Sequence, residues 1–183
     1  MRIIAGALRG RRLPPPGWAG LRPTSDRLRE TLFNVLGDRV DGARVLDGCA
    51  GTGALGLEAL SRNADSVTFI DRDRRAVALI EANLERCGIA GRGKVMRGAL
   101  PGALRRVESA PPFDLALLDP PYDYDDRAIG AILSAVAART ATGGLVVLER
   151  PRRRDAVEVA TLAHTRRIGS GDSALDVYVR STL

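Results

Sequence analysis

The strongest constraint on the fold is a regular alternation, from residue 43 onward, between short apolar runs and longer amphipathic stretches. Each apolar run is strand-sized and borders a glycine or an acid, as buried parallel strands do. The alternation predicts an α/β fold with a mostly parallel, twisted, doubly wound sheet and helices on both faces. The predicted strands are 43–47, 66–71, 94–98, 113–119 and 144–149, and the predicted helices are 54–62, 74–87, a short one at 100–107, and 126–138.

The two ends of the chain break this alternation. Near the C-terminus, turn-forming residues at 169–172 separate two apolar runs, which predicts an antiparallel hairpin at the sheet edge. Residues 2–13 predict a small N-terminal β-hairpin, and the proline run at 14–16 predicts a stiff linker after it. Good N-cap residues at 24–26 predict a helix that ends near Gly37.

The bulk properties of the chain exclude several classes of protein. A length of 183 residues fits one main domain, which we expect at 23–183, after a basic arm and linker at 1–22. No apolar run approaches the roughly 18 residues of a membrane span, and the N-terminus does not resemble a signal peptide. We therefore expect a cytoplasmic monomer without membrane association. Two cysteines and one histidine, with no Cys-x-x-Cys pair, predict that no metal is bound.

Positive charge is concentrated at the N-terminus. The formal net charge is +6, and residues 1–39 hold eight arginines but three acidic residues. Because no acid precedes Asp26, this arm is typical of a surface that contacts the phosphates of a nucleic acid. A solvated basic hairpin without a partner is the alternative. The residues that we expect to bind the polyanion are Arg9, Arg11, Arg12, Arg22, Thr24 and Arg27.

A glycine-rich loop follows the first predicted strand and precedes a helix. Residues 51–56 match the dinucleotide-binding fingerprint, so the loop alone does not distinguish NAD from S-adenosylmethionine. Asp47 favours S-adenosylmethionine, because a carboxylate attracts that cationic ligand and would repel a pyrophosphate. Asp71, at the end of the next strand, is the expected acceptor for the ribose hydroxyls. Asp73 is the expected cap of the following helix.

The strongest functional signal is Asp119-Pro120-Pro121-Tyr122, directly after an apolar strand. In open α/β sheets, ligands bind at the carboxyl ends of strands. The Asp119 carboxylate and the Pro120 carbonyl could accept both hydrogens of an exocyclic amino group on a base, which would aim the nitrogen lone pair at a methyl donor. Tyr122 would stack on the base after its rotation out of the helix or loop. We therefore predict a base amino methyltransferase with catalytic residues at 119–122.

With these motifs in place, nearly the whole chain resembles class I methyltransferases of the RsmD type, which have a Rossmann-like fold and methylate the N2 amino group of a guanine in bacterial small-subunit (16S) ribosomal RNA. The likeness includes the opening residues 2–6 and the stretch 9–13. It also includes 22–34, 50–62 and 118–122. The segment 22–34 is the most specific, since other base methyltransferases share only the glycine loop and the Asp-Pro-Pro-Tyr motif.

The resemblance implies a catalytic domain at 23–183, an S-adenosylmethionine site and an arm that binds ribosomal RNA, within a small-subunit particle. The chain departs from the usual pattern at Gly48, where a bulky apolar residue is common, and at the third strand end, where no acid is available for the adenine amino group. Adenine recognition should therefore use the backbone near Gly98 and Ala99. The expected cofactor-binding residues are Asp47, Gly48, Cys49, Ala50, Gly51, Gly53, Asp71, Arg72, Gly98 and Ala99.

Three alternatives remain open from the sequence. An adenine-N6 or cytosine-N4 DNA methyltransferase would share the acid-Pro-Pro-aromatic motif, although the chain is small and lacks an obvious target-recognition domain. An NAD-dependent oxidoreductase is favoured by the literal glycine fingerprint alone. A non-catalytic RNA-binding protein with the same fold is the third, and loss of turnover on replacement of Asp119 would exclude it.

Overall fold

The fold is built on one seven-stranded sheet. The computed structural model describes residues 1–18 and 25–182, and within them the strand order is β3-β2-β1-β4-β5-β7-β6. The first five strands pair in parallel, and β7 pairs antiparallel with both β5 and β6. The mostly parallel sheet and the C-terminal antiparallel hairpin are thus confirmed. The strands are β1 (Arg44–Gly48), β2 (Ser66–Asp71), β3 (Gly93–Arg97), β4 (Phe113–Leu118), β5 (Thr140–Pro151), β6 (Leu162–Ser170) and β7 (Ser173–Arg180).

Helices cover both faces of the sheet and enclose two hydrophobic cores. One core contains residues of the first three helices, and the other contains residues of the last helix and of a 3-10 turn. The stretch predicted as a short helix at 100–107 is this 3-10 helix, Gly102–Val107. The α-helices are α1 (Asp26–Leu36), α2 (Ala54–Ser61), α3 (Arg74–Cys87) and α4 (Asp126–Ala137).

Polar caps fix where α1 and α3 begin. The Ser25 hydroxyl accepts a hydrogen bond from the Leu28 N–H at the start of α1. The Asp73 carboxylate accepts from the Arg75 N–H at the start of α3, so the predicted capping role of Asp73 is confirmed. These oxygens satisfy backbone donors that have no partner inside a helix.

The N-terminal segment has only part of the pairing expected of the predicted β-hairpin. It folds back on itself: the Ile3 N–H donates to the Arg11 carbonyl at 3.0 Å and the Leu13 N–H to the Met1 carbonyl at 3.0 Å, on either side of an isolated antiparallel bridge between Arg2 and Arg12. Further pairing stops there, because the Ile4 and Ala5 N–H groups donate to the buried Glu58 carboxylate on α2, at 2.8 and 3.0 Å. Gly6, with φ of 81°, lies so close to the Ser61 backbone that no side chain would fit. The segment therefore packs on α2.

No helix in the described part of the chain is long and apolar enough to cross a membrane.

Candidate active site

A cavity of about 710 Å³ opens at the carboxyl ends of β1, β2, β4 and β5. This is the edge of an open α/β sheet where ligands bind. Ser25 and Leu28 of the α1 end and Trp18 also contribute to its wall. Its lining includes most of the site residues predicted from the sequence: Asp47, Cys49, Ala50, Gly51, Asp71, Arg72, Gly98, Ala99, Asp119, Pro120, Pro121 and Tyr122.

Asp71, at the end of β2, fixes the backbone of the glycine loop that follows β1 through hydrogen bonds. One Asp71 carboxylate oxygen accepts from the Gly51 N–H at 2.8 Å, and the other accepts from the Asp73 N–H at 2.8 Å. The loop backbone has positive φ at Cys49 (60°), Gly51 (54°) and Gly53 (74°), a region that favours glycine. Asp71 therefore shapes the loop, and each of its oxygens has further capacity to accept a hydroxyl hydrogen.

Asp47 is a buried carboxylate beside this loop. It is 1% exposed and accepts from the Gly56 N–H at 2.8 Å. Burial raises the pKa of Asp47 to about 7, with a further rise from the neighbouring Asp71 and an opposing effect of the Gly56 hydrogen bond. Among the described residues, the ion pairs do not include Asp47. A cation placed in the cavity would offset the cost of this buried charge.

Two of the predicted cofactor glycines shape the loop from behind the cavity wall. A Cβ on Gly48 would lie 2.7 Å from the side chains of Leu100 and Leu118, so a larger side chain at this position would require both leucines to move. Gly53 packs with its Cα toward Ile80, where an added Cβ would approach to 3.0 Å.

Cys49 lines the cavity, but its thiol is a poor nucleophile. Burial raises its pKa to about 12, and the carboxylates of Asp71, Asp119 and Asp47 add to the rise. Since the thiolate is the reactive form, the structure gives this cysteine no catalytic role at neutral pH.

The backbone at the end of β3 is partly committed to local hydrogen bonds. The Gly98 N–H donates to the Asp71 carbonyl at 2.8 Å, and the Ala99 carbonyl accepts from the Ala103 N–H at 3.0 Å. Both residues line the cavity, together with the exposed Arg72, whose guanidinium lies 3.4 Å from the Tyr124 hydroxyl.

The Asp119–Tyr122 segment follows β4, the strand next to β1, and lines the same cavity as the glycine loop. Its start is fixed by the Asp119 N–H, which donates to the Gly48 carbonyl at 3.3 Å. The Tyr122 ring is 36% exposed, while its hydroxyl is held 2.6 Å from Ser173 Oγ and 3.2 Å from Glu149 Oε1. Burial raises the pKa of Tyr122, and the negative charges of Glu149 and Asp119 raise it further. The phenol therefore stays protonated, with its ring available for stacking.

Sequence reasoning missed the wall of the cavity formed by β5 and the C-terminal hairpin. Glu149 of β5 and the turn at 170–173 line it. A signal for Glu149 was present, because it ends the predicted strand 144–149 at the same sheet edge as Asp119. Trp18 was also missed; the Arg75 guanidinium lies 5.0 Å from the centre of its ring.

The predicted polyanion-binding arginines lie outside the cavity. Arg9, Arg11, Arg12 and Arg27 are exposed, and none lines its wall. The Arg11 guanidinium donates to the Arg86 carbonyl, near the end of α3 that is remote from the glycine loop. The tip of the arm therefore lies toward the opposite end of the sheet from Asp119. Arg22 and Thr24 lie outside the described residues.

Comparison with known proteins agrees with this geometry. The family model described as Conserved hypothetical protein 95 matches residues 1–179. The chain belongs to this RsmD-like methyltransferase family. A protein of Bacillus subtilis named "Putative rRNA methyltransferase YlbH" is 34% identical to this RsmD-like chain over 97% of the chain and 98% of YlbH. The solved structure of yhhF from Escherichia coli has a TM-score of 0.84 at 34% identity and covers 100% of the chain and 99% of yhhF.

Other relatives match over a shorter range. Ribosomal RNA small subunit methyltransferase D of Haemophilus influenzae is 42% identical over 68% of the chain. The matched part of the chain spans 65% of that protein.

Proposed function

We propose that this RsmD-like methyltransferase transfers a methyl group from S-adenosylmethionine to the exocyclic N2 amino group of a guanine in small-subunit ribosomal RNA. The main support is one cavity that is lined on one side by Asp47, the glycine loop and Asp71, and on the other by Asp119–Tyr122. A methyl donor and an amino acceptor bound on these two sides would face each other, which is the proximity that methyl transfer needs.

The residues on the first side fit S-adenosylmethionine. The buried Asp47 carboxylate would attract the positive charge of this cofactor, and the same carboxylate disfavours the pyrophosphate of NAD. Asp71 would accept from the ribose hydroxyls while it holds the Gly51 N–H. The Gly98 N–H already donates to the Asp71 carbonyl, so the neighbouring Ala99 N–H would be the backbone donor to the adenine of the cofactor. When bound, the cofactor supplies an electrophilic methyl group on sulfonium.

The residues on the second side would prepare the amino nitrogen. Its lone pair is delocalised into the base, so it is a weak nucleophile. The Asp119 carboxylate and the Pro120 carbonyl would accept its two hydrogens and fix the direction of the lone pair. Tyr122 would stack on the base with its ring held by Ser173 and Glu149. After methyl transfer the nitrogen loses a proton, which Asp119 or water would accept.

The substrate assignment combines the relatives with the charge of the chain. Relatives from Haemophilus influenzae and Escherichia coli are named ribosomal RNA small subunit methyltransferase D. The proposed catalytic domain is 23–183, and the basic arm at 1–22 would contact phosphates of ribosomal RNA in a small-subunit particle. The proposed RNA contacts are Arg9, Arg11, Arg12, Arg22, Thr24 and Arg27.

Transfer of labelled methyl from S-adenosylmethionine to small-subunit RNA and to small-subunit particles tests this proposal directly. Mass spectrometry of the product nucleosides should identify N2-methylguanosine. The Asp119→Ala variant should lose turnover by at least about 100-fold while it still binds the cofactor, since its acceptor for the amino group is gone. Asp123→Ala, an exposed position just beyond the motif, is the matched control and should keep wild-type activity. Absence of transfer to both RNA and particles would exclude the proposed substrate.

A further inference from the structure

Glu149 lies next to Asp119 at the carboxyl edge of the sheet. Leu118 of β4 pairs with Leu148 of β5 in parallel register, so Asp119 and Glu149 each follow a paired residue on adjacent strands. Neighbouring strands are about 4.8 Å apart. Glu149 is 4% exposed and, like Asp119, lines the cavity.

The two carboxylates belong to the same face of the sheet. Side chains alternate between faces along a strand, and Leu117 and Val147, two positions earlier, both lie in the core beneath α1. By the same alternation, the side chains of Asp119 and Glu149 belong to the face of the sheet that α1 covers. Two acceptor groups are thus placed side by side where the target base would bind.

Glu149 is also tied to the stacking tyrosine. The Tyr122 hydroxyl donates to Glu149 Oε1 at 3.2 Å and lies 2.6 Å from Ser173 Oγ. A carboxylate has about four acceptor positions, so Glu149 can accept from more than one donor at the same time. This hydrogen bond would hold the Tyr122 ring, on which the base stacks, at a fixed distance from the Glu149 carboxylate, which accepts hydrogen bonds.

The bases differ in what lies beside their amino group. In guanine, the N2 amino group is next to N1–H, a donor. In adenine the ring nitrogen N1 beside the N6 amino group is an acceptor, and in cytosine so is N3 beside the N4 amino group. Single-stranded bases are read through these Watson–Crick edges. A carboxylate accepts hydrogen bonds only, so beside Asp119 it would match guanine and repel the other two bases.

We propose that Glu149 is the residue that selects guanine: its carboxylate accepts the N1–H of the target base while Asp119 and Pro120 hold the N2 amino group. The inference rests on the proposed function and adds to it the group that determines the base. Glu149 would also determine the orientation of guanine. A guanine bound the other way round would place N3, an acceptor on the other side of the amino group, against the carboxylate, which would repel it.

The test compares two target bases in two enzymes. Small-subunit RNA is prepared with guanine or 2-aminopurine at the methylated position; 2-aminopurine keeps the 2-amino group but carries an unprotonated N1. The wild-type enzyme should have a kcat/KM about 100-fold higher for guanine, since a charge-assisted hydrogen bond is replaced by repulsion. In Glu149→Gln, which keeps the side-chain volume and can still accept from Tyr122, this preference should fall at least about tenfold.

Ser173→Ala separates base selection from the positioning of Tyr122. This variant loses one partner of the Tyr122 hydroxyl, so its turnover should fall equally for both bases and the guanine preference should stay at the wild-type value. Should Glu149→Gln fail to fold, a wild-type enzyme that methylates both bases equally would by itself overturn the assignment.

The outcomes distinguish the two proposals. A wild-type enzyme that methylates guanine, with the same preference in Glu149→Gln, contradicts the role of Glu149 and leaves the proposed function standing. A wild-type enzyme that methylates neither RNA contradicts the proposed function, and the role of Glu149 falls with it.

Discussion

At the scale of single residues, the fold strongly changes the pKa of Asp47. Its carboxyl is fully enclosed, and burial raises its pKa from an ordinary value of 3.8 to about 7. Between these two pH values the folded chain keeps the Asp47 proton and the unfolded chain releases it. The contribution of Asp47 to the free energy of unfolding therefore decreases as pH rises from about 4 to about 7.

Asp47→Asn should remove this pH dependence. The amide oxygen can still accept from the Gly56 N–H, but residue 47 no longer titrates. Relative to the wild type, the variant should gain on the order of 4 kcal/mol in unfolding free energy between pH 4 and pH 7, at about 1.4 kcal/mol per pKa unit. Urea denaturation of both proteins across this range measures the difference. Parallel curves for the two proteins would contradict the raised pKa.

The affinity for S-adenosylmethionine should depend on pH in the opposite direction. The proposed role of Asp47 requires the ionised carboxylate, so cofactor affinity should increase as pH rises through about 7 and then level off. Calorimetric titration at several pH values should show proton release on binding in the wild type. Asp47→Asn should bind more weakly at pH 8, without the pH dependence; equal affinity of the two proteins there would contradict the role.

At the scale of elements, local sequence signals predicted those parts of the fold that depend on local interactions. Asp73 caps α3 because its carboxylate reaches a backbone donor two residues away, and the helix ends at Cys87 before Gly88 as predicted. The N-terminal hairpin is paired only in part, because the Ile4 and Ala5 N–H groups bond to Glu58, about fifty positions further along the chain. Hydrophobic periodicity contains no information on such a long-range partner.

Two helical glycines provide a matched test of helix packing. Gly56 of α2 lies against β2, where an added Cβ would be 2.3 Å from the Phe69 ring. Gly130 of α4 has open space, and its nearest contact would be Val157 at 3.8 Å. Gly56→Ala should lower the unfolding free energy by about 1–3 kcal/mol through overpacking. Gly130→Ala should raise it by about 0.5–1 kcal/mol through helix propensity. Denaturant midpoints measure both, and a decrease in both variants would contradict the assigned packing.

At the scale of the whole molecule, the sequence predicted most of the cavity because its residues end strands that meet at one edge. Asp47, Asp71 and Asp119 could be placed together from the strand order expected of such a fold. Glu149 could have been placed there in the same way, because it ends the predicted strand 144–149. Ser173 could not, since its place in the cavity depends on β7 lying between β5 and β6. That antiparallel insertion brings the turn at 170–173 to the same edge.

The distribution of arginines yields the last prediction, because the exposed Arg9 and Arg12 of the arm do not line the cavity. Arg9 and Arg12 are exposed on the segment that packs against α2, whereas Arg105 and Arg127 are exposed on elements that cover the other face of the sheet. If the arm contacts RNA phosphates, reversing both charges in Arg9→Glu/Arg12→Glu should weaken RNA binding by at least about tenfold. The slope of log affinity against log salt should decrease by about 0.7 for each phosphate that the variant no longer neutralises.

Arg105→Glu/Arg127→Glu makes the same change in net charge on the opposite face, so it separates local binding by the arm from overall electrostatic attraction. It should weaken RNA binding less and leave the salt slope near the wild-type value. Cofactor affinity should stay unchanged in both variants, because none of the four arginines lines the cavity. Equal reductions in RNA affinity in the two variants, measured by filter binding across a salt series, would show that net charge, and not the arm, attracts the RNA.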